Sequence, residues 1–157
     1  MKTLTTIRIW IAGLVLLGAP GARALDVVAT TPDLGSLVRA VGGDAVDVTV
    51  LVKGPQDAHF VEPRPSFIRK LHDADLFVLR GMDMEVGWVP ALLRTARNPA
   101  IQPGGRAYLD ASAAITPLEV PVGRVDRSMG DLHVYGHAPY LTAAVNGVFV
   151  ARLIRAP

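Results

Sequence analysis

Cysteine is absent from the 157 residues, which excludes a disulfide framework, a thiolate metal site and a lipid-modified N-terminal cysteine. Aromatic residues make up only 6% of the chain and charged residues 19%. No lysine–arginine run with interleaved aromatics is present to track phosphates, so nucleic acid is not an expected partner. No glycine-rich loop follows the first strand-like run, which excludes a nucleotide-phosphate cradle. A Gly-x-Ser-x-Gly elbow is missing too, so nothing marks a serine hydrolase. Nor is any apolar run as long as the roughly 20 residues that a membrane-spanning helix needs.

The first 24 residues read as an address. Lys2 and Arg8 give a positive start, Ile9 to Leu17 form a short apolar middle, and Gly18-Ala19-Pro20-Gly21 breaks it. Ala22-Arg23-Ala24 then places small residues where a signal peptidase cuts. A cleavable signal peptide over 1–24 predicts a soluble, exported, periplasmic protein; an uncleaved anchor is the alternative. Three of the 16 basic residues (Lys2, Arg8, Arg23) and none of the 14 acidic ones precede Leu25. The remainder is thus one charge to the acidic side, and the basic balance belongs to the leader.

From Leu25 onward strands and helices alternate over one domain's length. Leu25 to Thr30 is a short apolar run suited to a buried strand. Thr31-Pro32 offers a helix cap and a first-turn proline. Leu34, Leu37, Val38 and Val41 recur at helical spacing, and Gly42-Gly43 stops the helix. Val46 to Val52 predicts a second strand, and a polar, proline-bearing loop runs from Lys53 to Pro65. Phe67, Ile68 and Leu71 mark a helix ending near Ala74, and Leu76 to Leu79 a third strand. A helix is expected over Glu85 to Thr95, and a fourth strand over Arg106 to Asp110. Thr116 to Gly130 reads as a long loop. A last helix runs from Thr142 to Ile154, with Val145, Val148, Phe149 and Leu153 on its apolar side. The expected fold is α/β: a single Rossmann-like lobe with a mostly parallel four-stranded sheet flanked by helices.

In such folds ligands sit beyond the carboxyl ends of the strands. Two loops there carry histidines: His59, directly after the second strand, and His133 with His137 in Gly130 to Tyr140. Imidazoles suit zinc at neutral pH, and Asp57, Glu62 and Asp131 are placed to orient a ring as second-sphere acceptors. Spacing alone leaves open that these are surface-loop histidines with no ligand. His72 falls within a predicted helix and reads as an ordinary helix residue.

The stretch Asp57-Ala58-His59-Phe60-Val61-Glu62-Pro63-Arg64-Pro65-Ser66 narrows the choice. With Thr30-Thr31, Ala40-Val41-Gly42-Gly43-Asp44, Ala74-Asp75-Leu76 and Gly81-Met82-x-Met84-Glu85-x-x-Trp88, it resembles the first lobe of the cluster A-I periplasmic solute-binding proteins. These ZnuA-like proteins serve zinc and manganese ABC importers. The resemblance implies two α/β lobes joined by a long helix, metal in the cleft between them, and an importer permease as partner. It implies His59 as the first ligand. The family's second ligand histidine falls at Pro139 here, so His137, displaced upstream, and His133 are candidates by proximity.

On this reading 1–24 is a signal peptide, 25–141 an N-terminal metal-binding lobe, and 142–157 the start of the connecting helix, with the second lobe absent. The expected function is divalent-metal binding for an ABC importer, with no enzymatic turnover, in a truncated chain. Zinc is expected over manganese because the visible candidates are nitrogen ligands. The alternatives are a non-functional remnant of such a protein or a zinc-dependent hydrolase using His59, His133 and Glu62 as base.

Overall fold

β1 (Leu25–Ala29) supports both halves of the sheet. In the computed structural model, which describes residues 23–118, 120 and 140–156, parallel strands β2 (Val46–Val50) and β3 (Leu76–Leu79) flank it. β4 (Tyr108–Asp110) pairs with β3, giving the order β2-β1-β3-β4. The sheet is parallel throughout, and its central strands β1 and β3 bury apolar residues on both faces because helices cover both. Val27, Ala29 and Val78 point into one core, beneath α1 (Pro32–Gly42) and α4 (Ala144–Arg155). Val28, Phe77 and Leu79 point into the other, beneath α2 (Pro65–Asp73) and α3 (Val89–Ala96). The alternation follows from the two-residue repeat of a strand.

Local chemistry sets the boundaries. Pro32 opens α1 as expected. Thr31 stands at the cap position, but its hydroxyl makes no cap bond and donates instead to the Asp33 carboxylate. That carboxylate in turn accepts the Leu34 N–H at 2.9 Å. α1 ends at Gly42, and Gly43 (φ +53°) turns the chain away. Gly35 lets this helix lie close on β2, since a Cβ there would sit 2.4 Å from a Val50 methyl. Leu51 and Val52, expected as part of the second strand, continue its bonding to Ala29 and Thr30 at 3.0 and 2.9 Å. The carbonyls ending α2 are taken by Asn98, whose amide donates to Leu71, His72 and Ala74 at 3.2, 3.1 and 2.9 Å.

Two expectations need correction. The helix expected from Glu85 begins only at Val89. Gly81, Met82 and Asp83 all take positive φ (79°, 52° and 60°), a left-handed run that no helix continues. Glu85 is committed elsewhere: 2% exposed, it accepts the Thr30 hydroxyl at 2.5 Å and the Arg80 and Gly81 N–H groups at 2.8 and 3.1 Å. The fourth strand starts at Tyr108 rather than Arg106, because turns closed by Gly105 N–H to Gln102 and Tyr108 N–H to Gly105 occupy the approach. α4 lies where a helix was expected; it buries Val150 and Ile154, and Val145, Val148 and Phe149 on its apolar side stay exposed. Among the described residues no helix is long and apolar enough to cross a membrane.

Leu34 is fully buried and Val148 half-exposed. Leu34→Ala should therefore cost about 3 kcal/mol in urea unfolding, and Val148→Ala less than about 0.5 kcal/mol. Glu85 gives a second test. Both Thr30 and Arg80 donate to its Oε1 and Gly81 to its Oε2, so a glutamine leaves the Gly81 N–H facing an amide. Glu85→Gln should cost about 1–3 kcal/mol. Burial raises the Glu85 carboxyl above its ordinary value, against the opposing pull of its donors. The folded chain then holds that proton more tightly than the unfolded one. Stability should fall as pH rises from the ordinary carboxylate range through the raised value, and Glu85→Gln should lose this decline.

Candidate metal centre

The loop after β2 presents His59. Leu51, Val52 and Val61 anchor it in the core, and two short backbone bonds shape it: Gln56 N–H to Lys53 at 2.8 Å and Phe60 N–H to Asp57 at 3.2 Å. Within it one carboxylate oxygen of Asp57 accepts the His59 backbone N–H at 2.9 Å and lies 2.7 Å from His59 Nδ1. The backbone N–H is the main reason that the Asp57 carboxyl is held below its usual range, with the ring's hydrogen bond adding to it. An ionised carboxylate only accepts, so the Nδ1 that faces Asp57 carries a proton. This is the orientation that an outer-sphere carboxylate gives a ligand histidine.

The His59 side chain is 27% exposed and lines an open groove of about 710 Å³ with Phe60, Glu62, Asp83, Val86 and Trp88. The far wall of the groove is the strap Gly81–Trp88. Glu85 fixes the strap between the ends of β1 and β3, where the strand order reverses. Trp88, 3% exposed, donates its indole N–H to the Ala58 carbonyl at 2.8 Å. On the other side of the strap a second hollow of about 510 Å³ lies between α3 and β4, and among the described residues no histidine lines it.

Arg80, just past β3, pairs with Asp33 at the start of α1 and lies 5.7 Å over the Tyr140 ring. The Tyr140 hydroxyl donates to the Arg80 carbonyl at 2.7 Å. The lead-in to α4 is thereby pinned to the same end of the sheet.

His59 and Asp57 stand together, and Glu62 lines the same groove as His59. His133, His137 and Asp131 lie outside the described residues. Among the described residues no three histidine, aspartate or glutamate side chains converge to hold a metal. His72 is a structural residue: its ring Nδ1 lies 2.8 Å from the Ala96 carbonyl, tying α2 to α3. Sequence reasoning assigned no role to Glu85, Trp88 or Tyr140. The signal available for Glu85 was its place in the Gly81-Met82-x-Met84-Glu85-x-x-Trp88 segment, between two apolar residues, Met84 and Val86.

Solved structures share this architecture. A crystal structure of ZnuA is 26% identical, with a TM-score of 0.62 over 83% of this chain and 44% of that one. A ZnuA deletion mutant with zinc bound is 28% identical, with a TM-score of 0.63 and the same coverage. Among curated relatives, the manganese ABC transporter substrate-binding lipoprotein PsaA of Streptococcus mitis is 31% identical over 83 residues, 51% of this chain and 27% of its own. The iron ABC transporter substrate-binding lipoprotein MtsA of Streptococcus pyogenes serotype M1 is 33% identical over 77 residues, 47% of this chain and 25% of its own. The chain thus spans about a quarter of the length of these curated relatives. Residues 27–154 match the family described as zinc-uptake complex component A, periplasmic, and the chain belongs to this ZnuA family of ABC-importer metal-binding proteins.

Proposed function

We propose that this chain captures a divalent transition metal in the periplasm and passes it to the permease of an ABC importer, without turnover. The carrying observation is the Asp57–His59 pair: a ring oriented by a carboxylate at 2.7 Å, facing an open groove at the carboxyl end of a parallel sheet. Zinc is the preferred cargo, because an imidazole nitrogen is the ligand in view and zinc favours nitrogen more than manganese does. The relatives named for manganese and iron make the metal a matter for direct competition. His133 and His137 remain the further ligand candidates. Residues 1–24 are assigned as the export signal, 25–141 as the metal-binding lobe, and 142–157 as the start of a connecting helix.

Calorimetric titration of the purified chain with zinc, and separately with manganese, tests this. Zinc should bind stoichiometrically and more tightly than manganese. His59→Ala should weaken zinc by more than about 100-fold, since an outer-sphere partner alone is worth roughly 10–100-fold. Asp57→Asn should cost about tenfold by that same standard, and His72→Ala should leave affinity unchanged. A folded chain with equal zinc affinity before and after His59→Ala would overturn the assignment.

A further inference from the structure

Among the described residues the backbone of the His59 loop, between Lys53 and Arg64, closes two short turns at Gln56 and Phe60, and the Asp57 carboxylate accepts the His59 N–H. A further attachment comes from outside the loop. The buried Trp88 donates its indole N–H to the carbonyl of Ala58, the residue before His59, at 2.8 Å. Its indole is buried with Val52, Val61 and Leu92. One residue earlier, a Cβ on Gly87 would lie 3.6 Å from the His59 carbonyl, an ordinary van der Waals distance, so the strap backbone runs directly along the loop. The strap is itself fixed to the ends of β1 and β3 through Glu85.

We propose that Trp88 is a positioning residue for His59: its indole N–H, carried on the Glu85-anchored strap, sets where the His59 ring stands in the groove. The inference rests on the reading of His59 as a metal ligand, and it adds where the precision of that ligand originates. Asp57 fixes the rotation of the ring and Trp88 the position of the backbone that carries it. Groups that must meet a metal within a few tenths of an ångström need such support from a rigid element.

Trp88→Phe separates positioning from packing, because it keeps an aromatic ring and removes the donor. The variant and the wild type are compared by thermal melting, zinc titration and amide hydrogen exchange of Ala58, His59 and Phe60. Val148→Ala, on the exposed side of α4, serves as a control that should leave all three unchanged. The expected result is a melting point within a few degrees of wild type and zinc affinity lower by about three- to tenfold, the worth of one net hydrogen bond. Exchange at the three loop amides should be faster by a similar factor. Unchanged affinity and exchange in Trp88→Phe would overturn the proposal, as would a variant that fails to fold, which would make Trp88 a packing residue. If wild-type zinc binding does not depend on His59, the metal-site reading fails separately. The positioning claim is then decided by loop exchange alone, faster exchange in the variant supporting it.

Discussion

A carboxylate buried where two parallel strands end is the constraint from which the rest of this site follows. Glu85 gathers the Thr30 hydroxyl and the N–H groups of Arg80 and Gly81, donors that the ladder leaves over as β1 and β3 finish. A buried charge is costly unless its hydrogen bonds are made, and here the two deficits answer each other. The bonds also fix the chain that supplies Glu85. The left-handed run through Gly81, Met82 and Asp83 turns that chain back over the strand ends. Two of those three residues are not glycine, so the turn carries strain that the anchored carboxylate offsets. A Cβ on Gly81 would come 2.1 Å from the Asp110 carboxylate, so the first step of the turn has room for glycine alone.

The features of the His59 groove stand on that foundation in sequence. The strap supports Trp88, Trp88 holds Ala58, and the next residue is His59, whose ring is turned by Asp57 two positions earlier. On the opposite side Arg80 joins Asp33 at the start of α1 and Tyr140 at the approach to α4. Elements far apart in the chain are thus drawn to one end of the sheet, where α/β folds place their ligands. The exposed Phe60 and Val86, 81% and 64% accessible, leave the groove with an apolar rim.

Much of the fold was legible because its periodicities were strong. The apolar runs of β1 and β3 have the composition of strands covered on both faces, and Pro32 and Gly42-Gly43 bracket α1 as written in the sequence. His59 was singled out through a motif, Asp57 to Ser66, rather than through spacing. What local reading missed depends on long-range partners. Glu85 resembled an acidic helix start because its donors at Thr30 and Arg80 are not its helical neighbours. The stripe Val145, Val148 and Phe149 marked one apolar side of α4, and the residues the helix buries against α1 and the sheet, Val150 and Ile154, were not singled out. Periodicity reports that a helix is amphipathic, and it does not say which side a given lobe covers.

The central claim is that His59 binds metal through Nε2 while Asp57 keeps the proton on Nδ1. Long-range nitrogen–proton NMR of the histidine rings, recorded on the purified chain with and without one equivalent of zinc, reads both nitrogens directly. The account predicts that zinc shifts His59 Nε2 to a metal-bound position, that the Nδ1 proton stays in place, and that His72 is unmoved. A His59 ring untouched by zinc, or one that coordinates it through Nδ1 and no longer donates to Asp57, would contradict it.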